Sequence, residues 1–157
     1  MTAYDVAAWG DFASTVAGAA AALAGLLFVG LSLNLSEVMS FPGVSTRAAV
    51  TVGMTVALML VAVLLATPGQ SPDVLAVEIA AIAAVVIGGV LATGGRIPSH
   101  SVRRRVHLFA LPLVPMGLLV IPVAAGRWGL YWATAAIVTG LAAATANSWV
   151  RVVEIKR

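Results

Sequence analysis

From Ala13 to Leu35 the chain runs for 23 residues without an ionisable side chain. At ~1.5 Å of rise per residue, a helix of that length exceeds the ~30 Å hydrocarbon core of a bilayer, so crossing a membrane accounts for the whole run. Its small side chains are the second constraint. Asp11, Gly18, Gly25 and Ser32 recur at heptad spacing, with Ser14, Ala21 or Ala22, and Phe28 filling the i+3 and i+4 steps. Lipid supplies no hydrophobic drive between helices, and a face bared in this way is suited to the close approach of another helix.

The remainder of the chain agrees with a membrane solvent. Of its 157 residues, 61% are hydrophobic and 10% charged, against about 25% charged in soluble domains. The formal charge of +3 does not point to nucleic acid, because the basic residues sit in short stretches between apolar runs, where they act as topology signals. No cysteine is present, which excludes a disulfide, a thiolate nucleophile and a Cys-based metal site.

In chain order, Met1 to Phe12 carries no Lys or Arg, which argues against a secretory signal peptide. Tyr4, Trp9 and Phe12 suit a membrane interface, and Asp11 is placed to cap the first helix. Pro42-Gly43 forms a turn and Thr46 caps the next span, expected over 48–67 and ended by Pro68-Gly69. The third span, 74–93, has a four-residue ladder of Ala76, Ala80, Ala84, Gly88 and Ala92, beside a partial one of Ala81, Gly89 and Thr93. Glu78 is its one carboxylate: a functional group by default in a membrane, or a side chain that reaches to water at the interface.

Arg96 to Arg105 is the most basic stretch. If helical, it places His100, Arg103, Arg104 and His107 on one face, where they would hold an anionic lipid headgroup or a phosphate, or act only as a positive-inside anchor. The fourth span, 106–125, contains Pro112, Pro115 and Pro122 and should be kinked. The fifth, 130–150, repeats small residues at Ala133, Ala136, Gly140, Ala143 and Asn147, and the basic tail Arg151 to Arg157 then leaves the membrane. With five helices to pack, contacts within the chain should absorb at least two of the three small-residue stripes.

These features predict an all-α, polytopic integral membrane protein with one domain and five transmembrane helices, at about 13–35, 48–67, 74–93, 106–125 and 130–150. An outside N-terminus and a cytoplasmic C-terminus put Arg47, Arg96, Arg103, Arg104, Arg105, Arg151, Lys156 and Arg157 inside and leave Arg127 alone outside. Arg127 is then near enough to pair with Glu78.

Enzymatic chemistry is not expected. That orientation puts Asp5, Asp11, Asp73 and Glu78 at the opposite side from both histidines, and no HExxH, GxSxG or GxxxxGK[ST] pattern occurs. No metal site and no cofactor are expected. The run Ala21 to Asn34, AALAGLLFVGLSLN, followed by Pro42-Gly43 and Arg47-Ala48, resembles a set of small, mostly uncharacterised bacterial polytopic membrane proteins. That resemblance spans the first third of the chain and implies no function.

Two functions fit these residues. One is a homo-oligomer in the bacterial inner membrane whose first helices surround a cation or small-solute path, lined by Asp11, Ser14, Gly18, Gly25, Phe28 and Ser32, with Asn34 and Glu37 at its inner end. The other is a non-transporting accessory or regulatory subunit that docks its small-residue faces onto a larger membrane complex. Anionic headgroups on the cytoplasmic side are the expected lipid partners; nucleic acid is not a partner.

Overall fold

The computed structural model describes residues 9–40, 44–94, 112–120 and 130–155. Among these, every regular element is a helix: α1 Gly10–Leu33, α2 Leu35–Ser40, α3 Val44–Ala66, α4 Pro72–Gly94, α5 at 112–120 and α6 Leu130–Ile155. The helices α1, α3 and α4, the last through Ala92, are long and apolar enough to cross a membrane. The expected fourth span is described only at 112–120, while α6 carries Thr134, Thr139, Thr145 and Asn147 along its length and is correspondingly more polar.

The hub of the bundle is α3, which packs against α1, α4 and α6. Half of its span is buried (50%), against 11% for α1. Leu58, Val61, Ala62 and Leu65 give α3 a broad apolar contact surface, whereas α1 buries only Ala13, Val16 and Ala20. Around α3 the core is completed by Leu75, Ile79 and Ala83 of α4, Met116 and Leu119 of α5, and Leu130, Ala133, Ala136 and Ile137 of α6, all at most 1% exposed.

Local chemistry sets the α3–α4 hairpin. Pro68 cannot continue α3, and Gly69 takes the left-handed φ of +76° that a side chain would disfavour. Ser71 then caps α4: its Oγ accepts the Val74 N–H at 3.3 Å and its carbonyl accepts the Leu75 N–H at 3.0 Å, with Pro72 at the first helical position.

Several expected boundaries move. Trp9, not Asp11, precedes α1 and no side chain caps it; Asp11 lies inside the first turn, where the helix dipole favours a carboxylate. Beyond Asn34 the chain forms the short helix α2 where only a connection was expected, and Pro42-Gly43 lies outside the described residues. With α3 starting at Val44, Thr46 is in its first turn and is not its cap. The last helix also extends past the expected span end at Val150. It stays helical to Ile155, through a run with no Gly or Pro to stop it.

Gly140 of α6 faces Leu58 of α3, and Asn147 bonds Thr51, so these helices run antiparallel. One end of the bundle therefore holds Trp9, Asp11, Asp73, Glu78 and Tyr131. There Trp9 meets Phe12 and Tyr131 edge to face, with ring centroids at 5.6 Å and 5.1 Å. The opposite end holds Asn34, Glu37, Arg47 and Gly94, and Pro112 shares a niche there with Arg47 and Asn147.

Candidate functional site

Three places in the bundle carry polar chemistry or an unfilled surface. The first is the outer face of α1. Asp11, Ser14, Gly18, Gly25, Phe28 and Ser32 are all exposed, on the side opposite Ala13, Val16 and Ala20. A Cβ added at Gly18 or Gly25 would meet nothing within 4 Å. The structure thus aligns these expected residues along one helix face, and among the described residues nothing packs against its glycines. Asn34 and Glu37 are exposed too, but Asn34 is in the turn after α1 and Glu37 belongs to α2. Thr15 and Ser32 on α1, and Asn34 just after it, bond to backbone carbonyls of that helix. Thr15 Oγ1 donates to the Asp11 carbonyl at 2.9 Å, Ser32 Oγ to that of Phe28 at 2.8 Å, and Asn34 Nδ2 to that of Gly30 at 2.8 Å.

The stripe on α6 behaves in the opposite way. Ala133, Ala136, Gly140 and Ala143 are buried, and a Cβ at Gly140 would lie 2.6 Å from Leu58 Cδ1. The ladder on α4 is mixed: Ala76 is buried and Ala80 half-buried, while Ala84, Gly88 and Ala92 are exposed, as are Ala81 and Gly89. Among the described residues, intrachain packing covers the α6 stripe from Ala133 to Ala143 and part of the α4 ladder. A single central helix has too few sides to cover every small-residue face.

The second place is the α3–α6 seam at the Arg47 end. Asn147 Nδ2 donates to Thr51 Oγ1, which itself donates to the Arg47 carbonyl at 2.8 Å, and Thr55 Oγ1 donates to the Thr51 carbonyl at 2.9 Å. Thr51 and Thr55 are 1% and 0% exposed. The neighbouring niche, lined by Arg47, Thr51, Pro112 and Asn147, has about 10 Å³ of space, close to what one water needs. The spacing of Thr51 and Thr55 one turn apart is visible in the sequence, but their partner 96 residues away is not.

The third place is at the other end. Gln70, in the hairpin turn, donates from Nε2 to Glu78 Oε2 at 2.6 Å. Its Oε1 is buried without a hydrogen-bond partner. The sequence reading missed Gln70, although its place two residues before Pro72 put it within reach of the first turns of α4. Arg127, the expected partner of Glu78, lies outside the described residues, as do His100, Arg103, Arg104 and His107. A double-mutant cycle of Gln70→Ala with Glu78→Ala, read as thermal stability, should show a coupling of about 0.5–3 kcal/mol. Strict additivity would remove this hydrogen bond from the account, and the same cycle with Arg127→Gln measures the ion pair separately.

Among the described residues no group of three His, Asp or Glu side chains is arranged to hold a metal. The chain matches no protein-family model, no curated protein and no solved structure.

Proposed function

We propose that the chain is a non-enzymatic, multi-pass protein of the bacterial inner membrane that self-associates through the small-residue face of α1 around a cation or small-solute path. One observation carries this reading. The face of Ser14, Gly18, Gly25 and Ser32 is a backbone-bare surface of a spanning helix, and none of the described residues covers it at Gly18 or Gly25. Such a face gives close helix contact in lipid, where packing and interhelical hydrogen bonds drive association.

Five spans, with the N-terminus outside, complete the proposal. Its support is that α4 ends, and the described part of α5 starts at Pro112, at the same end of the bundle as Arg47. Arg96, Arg103, Arg104 and Arg105 fall between these two points in the sequence, and positive-inside bias would put them in the cytoplasm. Aromatic Trp9 and Tyr131 at the other end suit the outer interface. His100, Arg103, Arg104 and His107 would attract anionic headgroups there on the cytoplasmic side.

A non-transporting accessory subunit is the second reading. It is favoured by the internal bonding of Ser32 and Asn34, which leaves their donors turned to the helix backbone and away from a water path.

Single cysteines in the cysteine-free chain test both association and orientation. Gly25→Cys should form a disulfide-linked dimer in oxidised membranes, since closely crossing helices bring Cα atoms within the ~4.4–6.8 Å that a disulfide spans. Gly140→Cys, shut against Leu58, should not. Absence of crosslinking at both Gly18 and Gly25 would reject the seam. In the same background, an impermeant thiol reagent added outside should label cysteine at Ser71 or Arg127 and spare Ser99; labelling at Ser99 would reverse the topology.

A further inference from the structure

Between α3 and α4 lies a groove of about 640 Å³, and apart from Thr46 every side chain on its walls is apolar. Its size falls within the ~300–1,000 Å³ usual for ligand pockets. Small residues from both helices set the walls back: Ala49, Gly53 and Ala57 on α3, Ala81 and Gly89 on α4. A Cβ built at Gly53 would meet nothing within 4 Å. Both helices have membrane-spanning length and apolarity, so the groove lies at hydrocarbon depth.

Shape and charge together select its occupant. The groove runs along α3 from Thr46 to Leu60, roughly 21 Å at ~1.5 Å per residue. Beyond it, toward the Pro68-Gly69 turn, the two helices are sealed by Leu65, Leu75 and Ile79, each at most 1% exposed. A membrane-spanning helix of a partner would run past that closed end. An acyl chain of one leaflet, whose hydrocarbon layer is half of ~30 Å, needs no more than the open part.

The open end is also the basic end. Arg47 lies in the first turn of α3, Arg96 follows the end of α4 by two residues, and no acidic residue occurs in the sequence between Glu78 and Glu154. Glu37 on α2 and Glu154 in the last turn of α6 are the acids of the described helices at that end. Thr46, the one polar side chain on the wall, sits there as well.

We propose that this groove seats an acyl chain of an anionic phospholipid of the cytoplasmic leaflet, with its headgroup at the arginine-bearing end. The inference deepens the lipid-partner reading above and rests on it for the leaflet and the headgroup sign. The groove supplies what basic residues alone do not: a fixed slot that holds one lipid through dispersion contacts along its chain, in a place where a void would otherwise forfeit them.

Native mass spectrometry of the purified full chain, titrated with phosphatidylglycerol or phosphatidylcholine, tests it. Wild type should retain one phosphatidylglycerol per chain more tightly than phosphatidylcholine, and Gly53→Phe should weaken that binding about tenfold or more, with Ala81→Phe on the facing wall doing the same. Val138→Phe, at an exposed position of α6 away from the groove, should leave it unchanged, and circular dichroism confirms that the variants remain folded. Equal binding of the two lipids, lost together in Gly53→Phe, would overturn the anionic headgroup alone. Unchanged lipid binding in both groove variants would overturn the slot. A change in oligomer mass with lipid binding intact would assign the groove to a second copy and overturn the proposal.

Discussion

Gly140→Leu is expected to destabilise the protein by about 1–3 kcal/mol, the usual cost of forcing extra atoms into a packed core. Gly25→Leu is expected to leave stability within about 0.5 kcal/mol of wild type, as for substitutions at open surfaces, and to lower the mass of the purified particle in detergent. Both glycines sit inside long helices with a small-residue stripe, and sequence alone ranks them equally. Their surroundings differ. The first Cβ at Gly140 already lies 2.6 Å from Leu58 Cδ1, and Leu58 is fully buried in the core. The space beside Gly25 is empty, so leucine there affects only what approaches from outside the chain. Thermal unfolding followed beside light scattering separates the two effects. Equal loss of stability in both variants would make the α1 face an internal packing surface and remove the seam.

Reconstituted protein is expected to pass cations across liposomes, with Asp11→Asn weakening the selectivity and Phe28→Ala increasing the flux. Asp11 is exposed in the first turn of α1, so in a ring of copies its carboxylates would raise the local cation concentration at one mouth. No basic side chain occurs on α1 to favour anions. Phe28, 68% exposed, is the one aromatic ring in the lower half of that face and would form a dewetting constriction. The internal bonding of Ser32 and Asn34 sharpens the test, since neither offers its donor to permeating water. Liposomes that stay tight to ions with all three proteins, at both signs of voltage, would reject the path and leave the accessory subunit.

The apolar runs were legible because length and absence of charge suffice to mark a membrane-crossing helix, and α1, α3 and α4 follow them to within a few residues. Turns were legible where the chemistry is local, as at Pro68-Gly69 and Ser71-Pro72. Which helix would be central was not. The Ala13 to Leu35 run is long and uncharged, yet centrality depends on how much of a helix its neighbours bury, half of the α3 span against 11% of α1. Small-residue periodicity showed where helices are able to approach and was silent on whether the approaching helix belongs to the same chain, so the stripes on α1 and α6 read alike and packed differently. Polar partners separated by 96 residues, Thr51 and Asn147, could be found only once α3 and α6 were side by side. Gln70 was missed for another reason. Attention to a carboxylate in lipid favours a cation as its partner, whereas the described partner is a neutral amide one turn outside the helix.

The edge-to-face contact of Trp9 with Tyr131 joins positions 122 residues apart (131 − 9), whereas α1 and α3 are neighbours in sequence as well as in space. At ~5–20 residues per second of synthesis, the ring of Tyr131 emerges on the order of ten seconds after that of Trp9. During that interval α1 can settle against α3 but lacks its last anchor, worth about 0.5–1.5 kcal/mol for such an aromatic pair. Closure of the bundle is therefore a late event in biogenesis, and the first helix spends its earliest seconds in the bilayer with its glycine face open to a neighbouring nascent chain.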